Sequence, residues 1–214
     1  LYEVDMRLRP SGKQGPVATS FAAFQDYQRT EAWTWEHLAL TRARAIAGDE
    51  AFCADIEAFR RILLNEKATG ATILADVSEM RARIASAKAP NTSWDAKIGP
   101  GRLQDIELFA QAAALRAGSG AAEVGAQFEA GVADGWLDAA DAQALVAAAG
   151  LFWQVQAAAR FLTGADLDLD RLAEGATRLI LRETGMESLD TLKSSIAEMH
   201  LTADRIITRY LEGA

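Results

Sequence analysis

The sequence predicts a mainly α protein, a helical bundle that follows a single strand at the N-terminal end. Three observations predict it. Half of the 214 residues are hydrophobic, only four are proline, and alanine recurs throughout, a composition that favours helices. From Phe21 onward the apolar residues recur at three- and four-residue spacing, the period of a helix with one buried face. Alternation with period two is confined to the opening stretch, LYEVDMRLRPSG.

In a strand, side chains alternate faces, so Asp5, Arg7 and Arg9 share one face while Val4, Met6 and Leu8 share the other. An acid beside two guanidiniums suits a magnesium and polyphosphate site, with a hard oxygen for the ion and fixed cations for phosphate. It equally suits a surface strand with a solvated salt bridge. Ser11 to Ser20 is turn chemistry. Lys13 within it reaches a phosphate or sits solvated, and Thr19 or Ser20 caps a helix from Phe21. Phe21, Phe24, Tyr27 and Gln28 then fall at helical spacing and read as core.

The segment Glu31 to Asp49, EAWTWEHLALTRARAIAGD, reads as one helix with two stripes. Trp33, His37, Leu40 and Arg44 form one; Trp35, Ala39, Arg42 and Ile46 form the other, nearly opposite. A helix apolar on two sides is expected between two layers. Each arginine then lies at the edge of a buried face and needs an acid such as Glu36, a backbone carbonyl or a ligand phosphate. Because Arg42 and Arg44 point to different faces, they are not expected on the same phosphate. His37, beside two tryptophans, reads as a packed and hydrogen-bonded histidine, with a general base as the alternative.

Asp49 caps a helix over Glu50 to Leu64 whose inner face carries Phe52, Ile56, Phe59, Ile62 and Leu63, with Cys53 an inert neighbour. Ile73 to Ala87 is amphipathic, and Arg81 and Arg83 read as its solvated flank. Ala89 to Ser93 breaks the pattern. Lys97-Ile98-Gly99-Pro100-Gly101 is a glycine loop before a helix that begins near Arg102, an arrangement able to cradle an anion or to build an ordinary turn. On that helix Glu107 and Gln111 flank an apolar face of Leu103, Ile106, Phe109, Ala110 and Ala113, while Asp105 points elsewhere. A carboxylate at the margin of a core needs partners, so Glu107 anchors the loop or faces a ligand. Helices follow over Leu137 to Ala149, Leu151 to Leu162 and Arg171 to Gly185, with an acidic loop at Thr163 to Asp170. A last helix, Leu189 to Leu211, closes the bundle through Leu192, Ile196, Met199, Ala203, Ile206 and Tyr210.

The net charge of -8 and the absence of a basic stripe argue against nucleic acid. No apolar run in the sequence approaches the roughly 20 residues of a membrane span, so no membrane partner is expected. The single cysteine, Cys53, rules out an internal disulfide and fits a reducing cytoplasm.

Three of these segments carry a family resemblance. EVDMRLRPSG resembles the third-carboxylate strand of the nucleotidyltransferase domain in the glutamine synthetase adenylyltransferases. WEHLALTRAR ending in AGD is similar to the helix after that domain's sheet, and KIGPGRLQDIELFAQ is similar to the family's K-x-G-x-G-G-hydrophobic-x-D-I-E-F-x-x-Q motif. Arg102 stands where glycine is usual, either closing the loop sterically or adding a cation to it, and Leu108 where phenylalanine is usual. The resemblance implies a remnant strand of an α/β nucleotidyltransferase domain in residues 1–20, its helical continuation in 21–90 and a C-terminal bundle in 91–214. The Gly-Ser turn and Asp-x-Asp strand of the family do not appear before Leu1, so the chain is expected to start part-way through a catalytic domain and to be inactive alone.

By the same resemblance Asp5 is the catalytic, metal-binding carboxylate for Mg2+. Arg7, Arg9, one of Arg42 or Arg44, Lys97 and Gly99 hold the nucleotide, and Glu36, Asp105 and Glu107 support them. The implied reaction moves AMP from ATP to a tyrosine of glutamine synthetase, in the C-terminal, adenylylating half of a two-headed enzyme. One alternative is a non-catalytic helical module that docks glutamine synthetase or the signalling protein PII; another, against which the WEH and DIE motifs speak, is a relative that transfers UMP onto a signalling protein.

Overall fold

The computed structural model describes residues 10, 12, 15–90, 92, 94–163 and 172–213. Among these there are helices and no strand. The expected strand, with Asp5, Arg7 and Arg9, lies outside the described residues, as does Lys13.

The helices start where their caps are written. α1 (Phe21–Thr30) begins at Ser20, whose hydroxyl accepts from the Ala23 N–H at 3.3 Å. α3 (Glu50–Lys67) begins at Asp49, which accepts from Phe52 at 3.1 Å. Each cap satisfies an amide that has no partner inside its helix. α4 (Ile73–Ala87) and α5 (Leu103–Arg116) follow, then α6 (Val124–Ala133), α7 (Ala139–Thr163), α8 (Glu174–Thr184) and α9 (Leu189–Glu212), the last capped by Ser188.

The Glu31 to Asp49 segment departs from the expected long helix. α2 covers only Thr34–Thr41, with Arg42 as its C-cap. The cause lies 20 residues further on. To continue, the helix would need the Leu40 and Thr41 carbonyls as acceptors, and Arg60 of α3 donates to both from Nη1, at 3.1 and 3.2 Å. The Ala45 N–H is drawn away as well, to the Glu57 carboxylate at 2.8 Å. The segment is also not held between two layers, for Leu38 and His37 are buried whereas Trp33 is 71% and Trp35 43% exposed.

α5 is the axis of the body. Ile106, Phe109, Ala110 and Ala112 to Leu115 are all buried, and α2, α3, α4, α6, α7 and α9 pack around it. Phe109 meets Phe128, Trp136 and Tyr210 at ring-centroid distances of 6.1, 5.3 and 5.9 Å, in the tilted arrangements that aromatic quadrupoles favour. The two helices expected over 137–149 and 151–162 are one, because Gly150 keeps helical geometry inside α7. That makes Ala139–Leu162 a helix long and apolar enough to cross a membrane. Here it is a packing element, with Leu145, Phe152 and Val155 buried against its neighbours.

Arg81 and Arg83 were expected alike on a solvated flank, and only Arg83 is there, paired with Glu79 one turn away. Arg81 ties three helices together. Its Nε donates to both Asp105 oxygens at 2.9 and 3.0 Å, its Nη1 to Thr208 Oγ1 at 2.9 Å, and its Nη2 to Asp204.

Candidate functional site

A cleft of about 510 Å³ opens where α1, α2 and α5 meet. Phe24 and Gln28 come from α1, Trp35, Glu36, Ala39 and Leu40 from α2, Arg42 and Ala43 from its end, and Gln111 from α5. Pro10, the first described residue after the opening segment, completes the lining.

The corner between α1 and α2 is fixed by two buried polar side chains. Glu36 accepts from the Tyr27 hydroxyl at 3.0 and 3.1 Å and from the Trp33 N–H at 3.0 Å. The last is the reach-back bond of a capping box. His37 donates from Nε2 to the Gln28 carbonyl at 2.9 Å, tying the last turn of α1 to α2. The histidine is thus packed and bonded. Burial pushes its imidazole below the ordinary value of 6.5, partly offset by that hydrogen bond.

The sign of the pH effect follows. The unfolded chain takes up a proton near pH 6.5 that the folded chain refuses, so this contribution to stability is full above about pH 6.5 and is lost as pH falls toward the lowered folded value. In His37→Gln, whose amide still donates to the Gln28 carbonyl, Tm should fall less steeply than in the parent between about pH 7 and pH 5. Parallel Tm curves would show that His37 does not titrate in this way.

Arg42 sits at the mouth of the cleft, 3.5 Å from Glu107 of α5. Both groups are partly exposed, so the pair contributes little stability and leaves the guanidinium with spare donors. Arg44 lines an adjoining cavity of about 240 Å³ that shares Phe24, Leu40 and Ala43 with the cleft and is also lined by Glu57, Phe59 and Arg60. In that cavity the Ala45 amide and then Arg60 hold the Glu57 carboxyl below its usual range.

Lys97 and Gly99 belong to the loop on the far side of α5. Gly99 lines a third cavity, of about 280 Å³, with Arg81, Asp105 and Asp204. The loop does not hold its amides open for an anion. Asp95 Oδ1 accepts from Lys97 and Ile98, each at 2.9 Å, Leu103 and Gln104 donate to the Ala96 and Lys97 carbonyls at 3.1 Å, and Gly101 donates to Asp105 at 2.7 Å. Arg102 closes it sterically, with its buried guanidinium on the Asp95 carbonyl. The anchoring carboxylate is therefore Asp105, where the sequence pointed to Glu107. Among the described residues no group of three or more His, Cys, Asp or Glu stands together to hold a metal ion.

The body is a helical bundle that carries a cleft of nucleotide size at the junction of its first helices. The chain belongs to the glutamate-ammonia ligase adenylyltransferase family, the glutamine synthetase adenylyltransferases. Residues 1–59 match the model of that family, and residues 72–207 match the model of the GlnD PII-uridylyltransferases. The bifunctional glutamine synthetase adenylyltransferase/adenylyl-removing enzyme of Rhizobium meliloti is 42% identical over 220 residues, covering 100% of this chain and 22% of that protein. The protein of the same description from Mesorhizobium japonicum is 39% identical over 201 residues, 92% of this chain and 20% of its own length. That from Agrobacterium fabrum is 51% identical over 115 residues, 54% of this chain and 12% of its own length. The chain thus spans about a fifth of the length of the curated relatives it matches.

Proposed function

We propose that this chain is part of the adenylylating half of an enzyme that moves AMP from ATP to a tyrosine of glutamine synthetase and so regulates nitrogen assimilation, in the cytoplasm and in response to PII. The observation that supports this reading most is the meeting of its motifs at one cleft. Pro10 follows the Asp5 to Arg9 segment directly, Trp35, Glu36 and Arg42 come from the WEH motif, and Gln111 and Glu107 from the DIE helix. The division into residues 1–20, 21–90 and 91–214 belongs to the proposal, although the two family matches divide between residues 59 and 72.

In the reaction, the tyrosine hydroxyl attacks the α-phosphorus of ATP and pyrophosphate leaves. Asp5 takes the hydroxyl proton or holds Mg2+, and Arg7, Arg9 and Arg42 carry phosphate charge. Arg42 is assigned that role ahead of Arg44 because it lines the cleft itself. Lys97, Gly99 and Asp105 serve the loop that seats the N-terminus of α5. Asp5 would hold Mg2+, which would offset charge on the phosphates.

A second reading is a docking module for glutamine synthetase or PII. It is favoured by the match of residues 72–207 to the PII-uridylyltransferases, enzymes named for a different target protein. The test is transfer of labelled AMP to glutamine synthetase by the intact enzyme. Asp5→Ala should cut the rate by about 100-fold or more and Arg42→Ala by about tenfold. An Asp5→Ala enzyme that labels as fast as its parent makes the opening segment scaffold and puts the docking reading first.

A further inference from the structure

Gln28 lies in the last turns of α1, 4% exposed and lining the 510 Å³ cleft. Its side-chain Oε1 is buried and has no hydrogen-bond partner among the described residues. Buried polar atoms are nearly always satisfied, and one left over beside a cleft points to a donor that arrives with a ligand. The rest of the lining narrows the ligand's chemistry. Trp35 presents an indole to the cleft while remaining 43% exposed, a surface on which a planar ring can stack. Glu36 is already engaged within the fold, its carboxylate accepting from the Tyr27 hydroxyl and the Trp33 N–H. Arg42 is exposed, and its contact among the described residues is the long one to Glu107 at 3.5 Å.

The lining therefore combines a buried amide, an aromatic plate and an exposed guanidinium. These are the groups that an amino-bearing base edge, a base ring and a phosphate chain of a purine nucleotide would use. A glutamine amide is complementary to adenine in particular: its oxygen accepts from the exocyclic amino group while its NH₂ donates to the neighbouring ring nitrogen. The volume lies in the range of small-molecule sites.

We propose that Gln28 and Trp35 form the base subsite, Gln28 reading the amino-bearing edge of adenine and Trp35 stacking on the ring. This rests on the reading of the cleft as the nucleotide site. Neither residue stands in the motif segments as a charge or nucleophile, so both act by positioning the base.

The test uses the intact enzyme, with KM for ATP in AMP transfer, inhibition by adenosine as a probe of the base subsite and inhibition by inorganic tripolyphosphate as a probe of the phosphate end. Gln28→Met is close in size and removes both polar atoms. It should raise the KM for ATP about tenfold and weaken adenosine inhibition equally, as expected for a lost bidentate pair, while tripolyphosphate inhibition stays within about twofold. Its Tm should be unchanged or higher, because an unsatisfied buried acceptor has been removed. Trp35→Ala should show the same split between the two inhibitors, and Arg42→Ala the reverse one. Unchanged ATP and adenosine constants in Gln28→Met, with Arg42→Ala still impaired in transfer and tripolyphosphate binding, would overturn the base subsite and leave the proposed function standing. If Arg42→Ala is also unimpaired, the cleft is not the nucleotide site and both readings fall.

Discussion

Replacing Arg81 by methionine should destabilise the fold by roughly 3–5 kcal/mol, the cost of breaking a buried ion pair from one side. Arg81 joins α4 to α5 and α9, and its loss strands the buried carboxylate of Asp105, while Asp204, more than a third exposed, can turn to water. Asp105 is 8% exposed and also accepts the Gly101 N–H, so water cannot replace the guanidinium there without disturbing the loop. Methionine fills much of the arginine's volume, which confines the change to charge and hydrogen bonding. Arg83 is the control. It lies two residues on, on the same helix, but its partner Glu79 is one turn away and both side chains are exposed. Such pairs contribute roughly 0.3–0.5 kcal/mol. Urea unfolding of Arg81→Met and Arg83→Met measures the contrast. Two variants within about 1 kcal/mol of each other would mean that the Arg81 network holds nothing together.

The same pair shows where the sequence stops being legible. Local signals carry through: Ser20 and Asp49 cap the helices they precede, and the Leu192, Ile196, Ala203 and Ile206 stripe is buried in α9. Such features depend on residues three or four apart. Arg81 and Arg83 are indistinguishable at that range, because the acids that bury Arg81 lie 24 and 123 residues away. α2 is misjudged for the same reason, since its end at Thr41 is imposed by Arg60 rather than by a glycine or proline. Within the candidate site, the motif residues Glu36 and Arg42 carry visible chemistry and the structure sets both on the cleft. Gln28 was legible only as a polar residue in an aromatic stripe, which reads as core until a cavity is seen beside it.

Gly101→Ala should cost roughly 3–4 kcal/mol, the sum of a left-handed backbone penalty and overpacking against a backbone that cannot move aside. At φ +66° a non-glycine residue is already strained by about 1 kcal/mol. Its Cβ would also fall 2.6 Å from the Asp204 nitrogen and 2.9 Å from Asp204 Cβ, and would overlap the His200 carbonyl oxygen. These atoms belong to the middle of α9, which is held by Arg81 through Asp204 and by its packing on α7. The alternative is for the loop to retreat, which pulls the Gly101 N–H from Asp105 and loosens the N-terminus of α5. Gly135→Ala separates the two contributions, because Gly135 has φ +76° but nothing within 4 Å of an added Cβ. It should lose only the conformational part, about 1 kcal/mol. The difference between the two variants in urea then measures how closely the loop is pressed on α9. If Gly101→Ala is as mild as Gly135→Ala, the loop stands off the helix and the seat of α5 must be held from elsewhere.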